Sequence, residues 1–223
     1  MALRISGLPL AELALAAGIV ALGIPIASGA FHRLHFDDLL KSTVAAVDRG
    51  GPAETLVAGL SNAAPQTQAE RKDLALALLT LADVPSISEP TRQMLLARAR
   101  DQLRDYVSAV PGDGAAWASL AAAEFARGEA ERAQRALKTS ILVTPWSPSL
   151  VAWRCGLGID LFAALDGEGR ELMKGQFRLQ AVRAVTALVD TAIQRRGVRI
   201  ARILLTSSPD QLIAFETELA KRR

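Results

Sequence analysis

The stretch GAAWASLAAAEFARGEAERAQRALKTSILVTP, residues 114–145, decides the fold. Alanine and leucine dominate it, residues that favour helix over strand. Gly128 divides it into two helical runs. The first spans roughly 114–127; the second begins near Glu129 and ends before Pro145. The unit is echoed upstream. Ala99, Leu103 and Pro111 recur, at one constant offset, as Ala133, Leu137 and Pro145. The offset matches a known repeat period of about 34 residues. A fixed period of this length marks a stack of two-helix units, each unable to bury its apolar face alone.

These residues resemble the tetratricopeptide repeat. Trp117, Leu120 and Ala121 fall where that family places its large residue, its leucine and its small contact residue. Ala133 and Leu137 fall on the inner face of the second helix, and Pro145 closes the unit. Small Ala121 and Ala133 let two helices approach, while Trp117 and Leu137 fill the space beside them. Trp117 is therefore expected to be packed inside the pair. Glu124 stands where the family has an aromatic, with Phe125 adjacent, and Ser140 where alanine is usual. No tryptophan stands one period before Trp117; Asp83 occupies that place. The resemblance implies an all-α fold of tetratricopeptide-like antiparallel hairpins, a short α-solenoid that holds partners and brings no chemistry of its own.

Outward from this unit, helical spacing recurs. Leu74, Leu78 and Leu81 stripe a helix over 68–82, and Pro90 lies in the first turn of another ending near Val110. Pro145-Trp146-Ser147-Pro148 is a rigid connector. A helix follows over 149–165, where the repeat pattern fades. Asp166-Gly167-Glu168-Gly169 reads as a turn, and 170–196 as one long helix or two, broken by Gly197. A short helix covers 198–205. Ser208 and Gln211 have capping-box spacing at the start of the last helix, with Pro209 at its first position.

Nearer the N-terminus, helical spacing covers 34–47, Gly50-Gly51 stops it, and a short helix follows through Leu60. Ahead of these, the run from Leu13 to Phe31 contains no charged side chain. As a helix it would span ~28 Å, close to the bilayer core. Arg4 precedes the run, which places the N-terminus inside and the remainder outside. A permanent anchor is the preferred reading. A cleaved signal is the second, since Ser28-Gly29-Ala30 resembles a cleavage site, and a buried core helix is the third, disfavoured by Gly18, Gly23 and Pro25 in a run apolar all round. The organisation expected is an anchor or signal over 1–31, a helical-repeat domain over 32–165, and a basic helical subdomain over 166–223. The topology expected is a single-pass membrane protein with its C-terminal domain outside the cytoplasm.

The net charge of +3 is too small to point to nucleic acid. Residues 170–223, however, hold 11 Lys/Arg against 5 Asp/Glu. Arg195, Arg199 and Arg202 would share a helical face if Gly197 did not break it, and with Arg196 they are the binding candidates for an anionic lipid or acidic polymer. Trp146 and Trp153 are suited to stacking on sugars or to wedging helices apart. Cys155 is the lone cysteine, among apolar neighbours, and reads as a buried small residue. His32 and His35, with Asp37 and Asp38 behind them, make an incomplete metal site at a membrane interface. Glu124, Glu129 and Glu131 cluster, but the latter two open a helix, where carboxylates are favoured. No phosphate loop, HExxH or GxSxG pattern occurs. The expectation is a protein without catalytic residues, metal or cofactor.

Across the whole chain, an N-terminal span, a degenerate helical-repeat domain, the Pro-Trp-Ser-Pro connector and an arginine-rich helical tail resemble polysaccharide-biosynthesis proteins of the VpsP type. The resemblance implies a scaffold in assembling or exporting a bacterial surface polysaccharide, held in the inner membrane with its C-terminal domain in the periplasm, with membrane components of that system as partners. The alternatives are a general envelope or secretion-complex adaptor, the same adaptor with reversed topology, and a helical carbohydrate-active enzyme. The last would need a cleft with paired carboxylates.

Overall fold

The computed structural model describes residues 57–60 and 62–222, and every described regular element is helical. Met1–Pro65 and Gln66–Arg223 form separate compact units. In the first, residues 57–60 are helical. The apolar run 13–31, the helix expected over 34–47, and His32, His35, Asp37 and Asp38 lie outside the described residues. Among the described residues no helix is long and apolar enough to cross a membrane.

In the second unit, α1 (Gln68–Ala82) pairs with α2 (Glu89–Ala109), α3 (Gly114–Ala126) with α4 (Ala130–Val143), and α5 (Pro148–Asp160) with α6 (Gly167–Gln194). Two shorter helices, α7 (Val198–Leu205) and α8 (Pro209–Ala220), pack on α6. One apolar core runs from Ala75 on α1 to Leu219 on α8. It crosses the 165/166 boundary drawn from the sequence, because α6 is the second arm of the pair that α5 begins.

The period extends further than the sequence pattern suggests. Ala99, Leu103, Tyr106 and Val107 are buried on α2. Ala133, Leu137, Ser140 and Ile141 are buried one period later on α4. Gly169, Met173, Gln176 and Phe177 follow on α6, buried in the same spacing but displaced two positions beyond the next period. The first arms match too: α5 starts one period after α3. The pattern fades to the eye because a 3₁₀ turn, Phe162–Ala164, shifts the register of α6 by those two positions. It also ends the helix expected over 149–165 at Asp160. Upstream, α1 starts more than a full period before α3, so the place of Trp117 is taken by Arg71, not Asp83. Arg71 bonds Gln102 and Asp105 of α2.

Local chemistry sets the boundaries. Thr67 and Glu70 form a reciprocal capping box at α1. Ser88 caps α2, with Pro90 in its first turn. Asp113 caps α3 through the amides of Ala115 and Ala116, both at 3.0 Å. Gly128 links α3 to α4 at φ +80, a conformation that suits glycine. The stretch 166–169, expected as a turn, instead opens α6: Asp166 Oδ1 accepts from the Gly169 amide at 2.7 Å, and helix begins at Gly167. A kink at Ala184 divides α6. Gly197 breaks the chain where expected, and any side chain there would meet Ile159 at 2.2 Å. The capping box expected at Ser208 and Gln211 is not made. Ser208 sits at φ −137, ψ 76 with no side-chain bond to the helix, and Gln211 lines a neighbouring groove.

Candidate functional site

Two grooves run along opposite faces of α3, because Ser119, Ala122 and Ala126 project about half a turn away from Trp117, Leu120 and Glu124. The first groove, of about 390 Å³, is lined by all three first arms. Leu76 comes from α1, Phe125 from α3 and Trp153 from α5, and these three are 37%, 36% and 41% exposed. Polar groups flank them: Thr80, Asp83, Ser119, and Asp160 paired with Arg195 at 2.5 Å. Burial pushes the Asp160 carboxyl above the usual carboxylate range, against the pull of Arg195. An aromatic and apolar floor with a polar rim of both charges is a surface for an extended segment or a sugar chain.

The second groove, of about 470 Å³, lies among α2, α3 and α4. Arg104 comes from α2; Arg132, Arg135 and Thr139 share one stripe of α4, opposite its buried Ala133 and Leu137. At its floor Glu124 is 2% exposed and accepts from Arg104 at 2.5 Å. Trp117 packs against the apolar core that holds Ala133 and Leu137, and it also lines this groove. It is half-buried, its indole N–H donating to the Pro111 carbonyl at 2.9 Å. Glu124, where a tetratricopeptide pattern would have an aromatic, occupies the buried position, while its neighbour Phe125 faces the first groove.

Leu120, Ala121, Ala133 and Leu137 lie in the core, and Pro145 and Trp146 edge a third, largely apolar groove of about 330 Å³. Trp146 is 69% exposed there, away from Trp153. The structure does not gather the three arginines of the tail. Arg196 at φ 54 and Gly197 separate Arg195 from the others. Arg195 lines the first groove, Arg202 holds Glu216 of α8 through two bonds, and Arg199 stands exposed. Much of the tail's positive charge is matched within the fold, with Arg222 on Asp190 and Glu218, and Lys221 on Glu218.

Arg154 is the polar residue that helical periodicity alone does not reveal. It is fully buried, and its guanidinium donates to the Ser140 carbonyl and hydroxyl, the Thr144 carbonyl and hydroxyl, and Gln176. The acceptors are neutral, and those of Ser140 and Thr144 lie at the C-terminal end of α4, where the helix dipole favours a cation. Desolvation lowers its pKa to about 10, which leaves it charged at neutral pH. One signal marks it in the sequence: it stands one period after Leu120, at an inward position. Its neighbour Cys155 is fully buried, and burial raises that thiol far above its ordinary value, which makes it inert. The three comparisons of the chain, with family models, curated proteins and solved structures, give no match.

Proposed function

We propose that this protein is a non-enzymatic scaffold, a membrane-tethered tetratricopeptide-like module that holds a partner in the assembly or export of a bacterial surface polysaccharide. The observation that carries the reading is the first groove. Three corresponding helices, α1, α3 and α5, build one continuous surface, and each contributes a large apolar residue to it. Repeat proteins use such surfaces to seat partner segments. The corresponding buried residues of α2, α4 and α6 support the solenoid-like reading of the stack. The tether is the uncharged run 13–31, with Arg4 ahead of it favouring a periplasmic C-terminal domain. The polysaccharide system is the setting that the layout of the whole chain suggests.

The reading is tested in cells of the source bacterium. Deleting the gene is expected to reduce surface polysaccharide, and the intact gene to restore it. Trp153→Glu, accumulating to the same level, is expected not to. A photo-crosslinking residue in place of Phe125 is expected to capture a membrane component of the polysaccharide system. An alkaline phosphatase fusion after Arg223 is expected to be active, with the protein in the membrane fraction. Unchanged polymer in the deletion strain would overturn the assembly role; an inactive fusion would overturn the topology.

A further inference from the structure

The second groove is equipped for a ligand of different chemistry from that of the first. Its guanidinium groups are loosely committed. Arg132 and Arg135 reach Glu129 and Glu131 of their own helix at 3.7 and 4.0 Å, with their side chains 45% and 62% exposed. Such contacts between exposed groups hold little of either charge. Arg104 is 42% exposed and bonds Glu124 through Oε1 alone. The other carboxylate oxygen of Glu124, Oε2, is buried and has no hydrogen-bond donor. A buried acceptor in that state is costly, and it leaves the floor of the groove one donor short.

Two hydroxyls extend the pattern. Ser108 donates to the Arg104 carbonyl at 2.8 Å, and Thr139 to the Arg135 carbonyl at 3.0 Å. With their protons so engaged, both offer the groove acceptor lone pairs. The Trp117 indole N–H is likewise engaged, on Pro111, which leaves its ring as an apolar surface. The groove therefore presents cations for an anion, several acceptors for several donors, and an aromatic ring. A phosphate or sulfate ion brings charge without the donors. An acidic peptide brings one backbone N–H per residue. A carboxylated sugar brings a carboxylate, several hydroxyl donors and an apolar ring face in one unit.

We propose that this groove binds an acidic saccharide, its carboxylate between Arg132 and Arg135, its hydroxyls on the Ser108 and Thr139 oxygens, its ring against Trp117, over a floor that the buried Glu124 carboxylate builds by holding Arg104. The proposal deepens the polysaccharide reading, and the two can fail separately. A deletion strain with unchanged polymer removes the assembly role and leaves sugar binding to stand or fall in vitro.

The test is isothermal titration of the full chain in detergent with tetragalacturonate, with maltotetraose and hexaglutamate as neutral and peptide comparators. Tetragalacturonate is expected to bind, more weakly at high salt, and the comparators not to compete. Arg132→Gln with Arg135→Gln is expected to weaken binding by about tenfold or more. Because both side chains are exposed, the unfolding midpoint should hold. Glu124→Gln, which removes the carboxylate that holds Arg104 in place, is expected to weaken binding as well. Absence of binding, or binding indifferent to the double arginine change, would overturn the site. Equal competition by hexaglutamate would overturn the saccharide and point to an acidic protein segment; equal binding of maltotetraose would overturn the role of the charge.

Discussion

The pairs α3/α4 and α5/α6 keep nearly the same register and fill it with different chemistry. Leu120 of α3 is matched by Arg154 of α5, and Glu124 by Gly158, each one period on. On the first arm of the middle pair the buried charged residue is Glu124, which reaches back to Arg104 of the pair before it. In the third pair it is Arg154, which reaches back to Ser140 and Thr144 of the middle pair. Each of these first arms thus carries a buried charged side chain that ties it to the preceding pair. Apolar burial is non-directional and tolerates sliding, whereas a satisfied buried polar contact has one geometry. The apolar register makes a helix pair; the polar position sets how the next pair docks on it.

Removing the clamp of the third pair is the harshest way to break this comparison. Arg154→Ala opens a cavity and strips donors from the Ser140 and Thr144 oxygens at the end of α4. The expected loss is ~3–5 kcal/mol, measured by denaturant unfolding of the full chain. Arg154→Met should lose less, since it keeps volume and gives up only the bonds. A loss under about 1 kcal/mol for Arg154→Ala would mean that apolar packing alone docks the third pair.

Helix periodicity and turn residues made most of this architecture legible before any coordinates. Leu74, Leu78, Leu81, Ala133 and Leu137 lie in the core, and Gly128, Pro90 and Gly197 mark ends or breaks. What stayed hidden was hidden for physical reasons. A repeat is recognised by spacing, and a small shift of register before α6 erases the spacing while leaving the packing intact. Trp117 reads as a fully buried residue because large aromatics usually are, yet it packs against the core half-buried, and Glu124, about two turns further along α3, is the fully buried one. The grooves depend on which faces of separate helices meet. Arg132, Arg135 and Thr139 form a visible stripe on α4, but nothing in the chain around them announces Arg104 or the floor at Glu124.

A milder test sharpens the other half of the comparison. Gly158 occupies the position of Glu124, and a Cβ there would stand 2.3 Å from Met173 Cε and 3.0 Å from Sδ. The third pair is thus closed by a methionine laid on a glycine where the middle pair has a carboxylate. Gly158→Ala is expected to cost ~1–3 kcal/mol through overpacking. In a chain already carrying Met173→Ala the added cost should shrink, which a double-mutant cycle reads directly. Additive effects would show that Met173 yields freely and that the close approach plays no part in docking α6 on α5.

The smallest expected effect lies at the helix starts and depends on pH. Asp113 caps α3, and Ser147, one period later, sits at the start of α5 with its hydroxyl against Ser149 Oγ at 3.4 Å and no bond to the helix's backbone amides. Asp113 has further partners: Lys72 of α1 at 2.6 Å and the Tyr106 hydroxyl at 3.0 Å. Burial raises its carboxyl, but the hydrogen bonds from Lys72, the Ala116 amide and Tyr106 outweigh that and hold it below the usual carboxylate range. A carboxyl depressed on folding contributes stability above its unfolded pKa of about 3.9, and that contribution is lost as pH falls through the lower folded value. Asp113→Asn keeps a capping oxygen and gives up the charge, so it should cost about 1 kcal/mol or less at neutral pH. The gap between the two proteins should stay constant from pH 7 to about 5 and close below about 4, as the wild-type carboxyl takes up its proton. Ser147→Ala should lie within a few tenths of a kcal/mol of wild type at every pH, since no cap bond is removed. Unfolding midpoints of the three proteins across this range give the comparison, and a gap at Asp113 that widened on acidification would reverse the sign assigned to its contact with Lys72.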